Sequence, residues 1–212
     1  MGIDLVEYIC KKITKQQKLA FTSSFFATLF IHLYFLTNTL PNHDSVLNYY
    51  STQNVLASGR WALSTACGFT SYFDLPWING IMSSIFIGLT VTVIVTLFRI
   101  KNPILIILTG CLFAASPATT DTFFFIYTAD GYMIAMFLAA TAVYWSRMGE
   151  KRKIYWILSA VCICVCCGIY QAYVSACGAG GQSGAKPKQA TEHGGKSTAL
   201  NTEKTGEIPP NK

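Results

Sequence analysis

The chain has 212 residues, of which 52% are hydrophobic and only 12% charged, and its mean hydropathy is +0.40. Soluble domains carry about 25% charged residues, so this balance excludes an ordinary soluble enzyme and points to a polytopic membrane protein. The net charge of +6 does not indicate nucleic-acid binding, because the basic residues sit in small clusters beside apolar runs and are not interleaved with aromatics.

Residues 1–18, MGIDLVEYICKKITKQQK, alternate apolar positions with Lys11, Lys12, Lys15 and Lys18. That pattern predicts a short amphipathic segment on the cytoplasmic membrane surface. A cleaved signal peptide fits less well, since the next apolar run is longer than a signal core and lacks a small-residue cleavage site. Residues 19–40 carry no charge and have about the 20 residues a span needs. His32 is the one ionisable group in that run, and a neutral, hydrogen-bonded packing role is expected for it. Pro41 and Asn42 then stop the helix.

The loop from 41 to 76 is the polar centre of the chain and holds His43, Asp44, Arg60 and Asp74. Spans are predicted after it at about 78–98, 104–120, 127–146 and 154–175, making about five with 19–40. Asp121, residues 123–127 and Asp130 form a second polar and aromatic turn. The predicted fold is all-α: a polytopic membrane helix bundle over 19–175 with an outward-facing first loop. Eight cysteines make no disulfide framework. Cys162, Cys164, Cys166 and Cys167 share one apolar run and Cys111 lies in another, with no His, Asp or Glu near enough in sequence to complete a metal site. They read as packing residues.

Basic clusters set the orientation. Lys11 to Lys18, Arg99 with Lys101, and Arg147 to Lys153 belong to one side, whereas the loops 41–76 and 120–130 contain Arg60 as their only basic residue. By the positive-inside rule the N-terminus is cytoplasmic and both acid-bearing loops face outward. Residues 176–212 have no aromatic residue and are rich in Gly, Ser, Thr and Lys, so they are expected to be disordered. The change after Ser175 reads as a frameshifted, fused or truncated end.

Four stretches, NHDSVLNYYSTQNVLASGRWAL, SYFDLPWINGIMS, TADGYMIA and GIYQAYVS, together resemble the serotype-converting membrane glucosyltransferases that modify bacterial O-antigen. The resemblance covers roughly residues 1–175 and is similar to the N-terminal portion of such an enzyme, with the architecture of a GT-C-type glycosyltransferase. It implies transfer of glucose from a polyprenyl-phosphate carrier to O-antigen polysaccharide at the outer face of the bacterial inner membrane. The implied partners are a lipid-linked glucose donor, the polysaccharide acceptor and membrane lipid. No cofactor is assigned, though a divalent metal is compatible, with Asp44 as a ligand. The competing expectation is a non-enzymatic multi-span protein, either a carrier-lipid flippase subunit or a truncated, inactive remnant. A transporter would place its polar residues near the midplane of the spans. Here they collect in the outward loops.

Moving a sugar from a lipid phosphate to a hydroxyl requires a carboxylate to take the acceptor proton and a cation to stabilise the departing phosphate. Asp44 lies just beyond the first span, and related enzymes keep an essential acid in this loop, which makes it the expected base; the alternative is a helix cap for residues 45–55. The planar fork of Arg60 suits a phosphate, and a salt bridge with Asp74 or Asp130 is the alternative. Asp121 and Asp130 form a second acidic pair suited to acceptor hydroxyls or an ion, and equally to turns and caps. His43, Tyr72, Asp74, Tyr132, Tyr170 and Gln171 complete the expected substrate-binding set; Trp77, Tyr127 and Tyr173 also suit sugar stacking. The aromatic residues fit an interfacial belt as well. There is no phosphate loop, dinucleotide turn or zinc-protease motif.

Overall fold

Thr14 and Gln17 start the first rod by bonding each other's backbone. The Gln17 N–H donates to Thr14 Oγ1 at 3.3 Å and the Thr14 N–H donates to Gln17 Oε1 at 2.9 Å. This reciprocal cap satisfies two of the donors that a helix start leaves open, and it begins α1, Lys15–Ile31. The computed structural model describes residues 13–40, 42–48, 58–68, 75–149 and 152–175. Lys15 and Lys18 therefore belong to the first rod and not to a separate surface segment ending at 18. The remainder of that expected segment, residues 1–12, lies outside the described residues, as does the expected tail, 176–212.

Among the described residues every regular element is helical. The rods are α1 with its continuation α2 (Leu33–Thr37), α5 (Pro76–Phe98), α6 (Pro103–Ala114) leading into α7 (Pro117–Phe124), α8 (Ile126–Met148) and α9 (Ile154–Ile169). Two short helices, α3 (His43–Asn48) and α4 (Leu63–Ala66), lie in the first loop, and a 3-10 turn, Gln171–Tyr173, follows α9. Prolines stand at the first positions of α5, α6 and α7, where the missing N–H would have had no partner in any case.

The direction of each rod follows from its contacts. Gln17 Nε2 donates to Thr96 Oγ1 at 3.1 Å, and Leu36 packs on Gly80, so α1–α2 and α5 run antiparallel. Ser23 and Ser24 meet Gly110 while His32 meets the Ala114 carbonyl, so α6 runs parallel to α1. Asn79 Nδ2 donates to the Ile126 carbonyl, so α5 and α8 start at the same end. Ser159 Oγ donates to the Ala142 carbonyl and Gly149 lies against Trp156, which sets α9 antiparallel to α8. The rods pack in the order α6, α1, α5, α8, α9.

Two apolar cores hold this row. One joins Ala20, Ile87, Val91, Ile106, Phe123 and Met133 across α1, α5, α6, α7 and α8. The other joins Leu63, Cys67, Ala135, Cys166 and Ile169, so it fixes the first loop between α8 and α9. Hydroxyls inside the rods donate back to their own helix, as Thr28 does to Ser24 (2.8 Å) and Thr90 to Phe86 (2.7 Å). In an apolar surrounding this removes the penalty of an unpaired polar group.

The expected span limits shift where the helices break. By length and composition α5 and α8 are long and apolar enough to cross a membrane, and α6 with α7, bent by 41°, passes the same test only as a pair, as a broken span or a re-entrant loop. The bend arises because Ser116 caps a new helix, accepting from the Thr119 N–H at 3.3 Å, and Pro117 cannot donate back to α6. The run 19–40 is likewise interrupted at His32, whose φ of −101° and ψ of 14° leave α1 with 17 residues. His32 is buried, with Nε2 2.9 Å from the Ala114 carbonyl and its ring stacked 4.3 Å from Phe123. One histidine thus joins both breaks. At 154–175 the helix stops at Ile169, giving 16 residues, because Tyr170 is extended. The polar turn expected between 121 and 130 shrinks to Phe125, since Asp121 lies inside α7 and Asp130 inside α8.

Candidate functional site

The first loop is clamped to the end of the bundle where α5 and α8 start. The Ala62 N–H donates to the Gly168 carbonyl at 2.9 Å, and the Trp61 indole packs against Gly168. A Cβ on Gly168 would sit 2.4 Å from that indole, so only glycine permits the approach. On the other side Leu63 and Cys67 pack onto Gly131 of α8. Gly59 enters this clamp with φ of 76°, a left-handed conformation that side chains rarely adopt.

Arg60, between those anchor points, is half-buried against two tyrosines, Tyr132 and Tyr170. Its Nη1 donates to the Tyr132 hydroxyl at 3.1 Å, and its Cζ lies 5.3 Å from the centre of the Tyr170 ring. Tyr132 and Tyr170 have ring centres 4.5 Å apart, and Tyr170 and Tyr173 5.3 Å apart. Gln171 lies beside Gly59, its Nε2 2.8 Å from where a Cβ on that residue would be. Arg60, Tyr132, Tyr170 and Gln171, drawn from three separate stretches of sequence, are thus brought together. No carboxylate among the described residues pairs with Arg60; Tyr72 and Asp74 lie outside them.

The acids fall into different environments. Asp44 and His43 begin α3, with His43 Nδ1 3.5 Å from Asp44 Oδ1 and both side chains more than half exposed. The cap of α3 is Asn42, whose Oδ1 accepts from the Ser45 N–H at 2.8 Å while the Asn42 N–H donates to Ser45 Oγ at 3.1 Å. Asn42 thus holds the N-cap position, and Asp44 lies in the first turn of α3. Asn42 Nδ2 also donates to the Phe124 carbonyl at 2.8 Å, which ties α3 to the end of α7. Asp121 is exposed on α7. Asp130 is only 2% exposed, so the expected surface pair of Asp121 and Asp130 is not formed. α4 is the reason: it lies over this turn of α8 and brings the Cys67 thiol beside Asp130. Burial, reinforced by the Asp130 charge, pushes that thiol well above its ordinary range, so Cys67 remains neutral.

Among the described residues no three His, Cys, Asp or Glu side chains converge to hold a metal ion. The described residues around Asp44 do not by themselves fit a divalent cation. An apolar cleft of about 320 Å³ between α5, α6 and α8, lined by Ile94, Phe113 and Met136, contains none of the charged candidates. It does not compete as the chemical centre.

Three contributors were not expected from the sequence: Asn42 as the cap, Gly168 as the seat of Trp61, and Cys67 as the neighbour of Asp130. Asn42 carried a readable signal, because Asn followed three residues later by Ser at a helix start is a capping pattern. The other two depend on contacts between distant segments and leave no local trace.

A family model described as Glucosyl transferase GtrII matches residues 33–178, a stretch that contains every candidate from His43 to Gln171. No curated protein and no solved structure matches the chain. The family acts as glucosyltransferases in O-antigen modification, which implies a sugar donor and an acceptor. With more than half of its length matched, the chain belongs to the GtrII glucosyltransferase family.

Proposed function

We propose that the protein transfers glucose from a polyprenyl-phosphate carrier to O-antigen polysaccharide at the outer face of the bacterial inner membrane. The observation that carries this reading is the Arg60 cluster. Arg60 is the one arginine or lysine among the described residues at the end that also carries Asp44, Asp121 and Asp130. A lipid-linked donor presents its phosphate at the membrane surface, and a guanidinium there offsets the charge that grows on the phosphate as the glycosidic bond breaks. Asp44, more than half exposed beside His43, is suited to take the proton of the acceptor hydroxyl. Asp121 is the next choice for that role, and buried Asp130 the last. His43 and Gln171, with Tyr72 and Asp74 from the same loop, complete the proposed substrate surface.

In this reading the rods form a multi-pass membrane unit with a cytoplasmic N-terminus, and the clamped loop faces outward. The test is transfer itself. Membranes containing the protein are given polyprenyl-phosphate-glucose and lipopolysaccharide bearing O-antigen, and glucose on the polysaccharide is measured against membranes without it. Incorporation above that background is expected. Background-level incorporation, with the protein verified in the membrane, would overturn the proposal.

A further inference from the structure

Sequence reasoning treats Tyr132 and Tyr170 as platforms for sugar rings, but their surroundings argue for a different task. Arg60, Tyr132 and Tyr173 all crowd the Tyr170 ring, at 5.3, 4.5 and 5.3 Å from its centre. A sugar stacks on an open aromatic face, whereas the half-buried Tyr170 ring is packed by these three side chains. The Tyr132 hydroxyl accepts from Arg60 Nη1 at 3.1 Å, so that oxygen is engaged as well. We propose that Tyr132 and Tyr170 are positioning residues, which hold the Arg60 guanidinium ready for the phosphate of a lipid-linked donor.

The physical basis is pre-organisation. A free arginine side chain samples many rotamers, and ordering it on binding weakens the complex. Here the hydroxyl of Tyr132 fixes one edge of the fork and the Tyr170 face fixes its plane. Four of the five guanidinium N–H groups remain for a ligand after the one donated to Tyr132. A phosphate bound in two-point fashion by Arg60 would therefore meet a fork whose orientation is already set. The backbone adds to this, because Arg60 lies between Gly59, seated against Gln171, and Trp61, seated on Gly168.

The inference rests on the reading that Arg60 receives the donor phosphate, and the experiment separates the two. The full chain in detergent micelles is titrated by native mass spectrometry with a polyprenyl monophosphate and with the uncharged polyprenol of equal length. The wild type should prefer the phosphate. Arg60→Gln should abolish that preference and leave polyprenol binding in place. Tyr132→Phe, which removes one oxygen and keeps the ring, should weaken the phosphate form roughly three- to tenfold, the size of one hydrogen bond, and leave polyprenol unchanged. In the Arg60→Gln background Tyr132→Phe should add nothing, because its effect acts through Arg60.

A wild type or Arg60→Gln protein that does not discriminate as stated overturns the phosphate reading together with this inference. Normal phosphate binding by Tyr132→Phe, with Arg60→Gln defective, overturns the positioning role alone. Further loss in the double variant would show that Tyr132 touches the ligand, and also overturns it. Displacement of the lipid by an equal concentration of inorganic phosphate would overturn a lipid-linked ligand.

Discussion

The two ends of the bundle use charge in opposite ways. At the end where α1 begins, Lys15, Lys18, Arg99, Lys101, Arg147, Arg152 and Lys153 collect from the start of α1 and from the α5–α6 and α8–α9 junctions, and no described acid accompanies them. At the other end lie all three described acids, Asp44, Asp121 and Asp130, with His43 beside Asp44 and one described arginine, Arg60, fixed against tyrosines. The first set is redundant, and its members are interchangeable as far as membrane orientation is concerned. The second set is one of a kind at each position and is fixed by contacts. Substitution should therefore be tolerated at the basic end and felt at the other.

The largest effect that would break this comparison is one of sidedness. After replacement of the native cysteines, Thr65→Cys should react with a membrane-impermeant thiol reagent in intact spheroplasts, because residue 65 is exposed on the clamped loop. Lys101→Cys, exposed at the basic end, should react only after the membrane is opened. Reversed labelling would overturn the proposal that the site faces outward.

Next in size is the proposed base. Asp44→Asn keeps shape and removes basicity, so glucose transfer should fall by roughly 10²–10⁴-fold if Asp44 takes the acceptor proton. Protein level should hold, since the side chain is more than half exposed and Asn42 provides the cap. Near-normal transfer at normal abundance would shift the role to Asp121.

Much of this contrast is legible in the sequence, because it depends on local composition. The apolar runs, the basic clusters and the single arginine of the acid-bearing loops are all visible in linear order, and the all-helical bundle follows from them. What escapes is whatever depends on two segments meeting. Asp130 reads as a surface acid until α4 is laid over it, and Tyr170 reads as a sugar platform or a belt residue with no sign that Arg60, Tyr132 and Tyr173 pack against its ring. The break at His32 is hidden for a similar reason: its partner is the Ala114 carbonyl, freed at the far end of another helix. Periodicity carries no record of such a pairing.

A smaller effect sharpens the comparison at the clamp. Gly168→Ala places a Cβ 2.4 Å from the Trp61 indole and should destabilise the loop by about 1–3 kcal/mol, a typical cost of overpacking. Limited proteolysis within the first loop should accelerate accordingly, while cleavage near Lys101 stays as it was. Trp61→Ala in the same protein should remove the added strain of the alanine. If Gly168→Ala leaves loop proteolysis unchanged, the clamp does not hold Arg60 in place.

The smallest expected effect is at Asn42, which does two things at once. Its Oδ1 caps α3 through the Ser45 N–H, and its Nδ2 ties α3 to α7 through the Phe124 carbonyl. Asn42→Ala loses both, and loss of a cap costs about 1 kcal/mol. Amide exchange in residues 42–48 should then speed up by about fivefold, the population change that such an energy produces. Asn42→Asp keeps an oxygen for the cap and adds a charge that suits a helix start, but it has no N–H to give Phe124. Its exchange should stay close to wild type if the cap is what orders Asp44 and His43. Equal acceleration in both variants would instead assign that order to the tie between α3 and α7. Exchange near Lys101 should be unaffected in either variant, because the basic end shares no contact with Asn42.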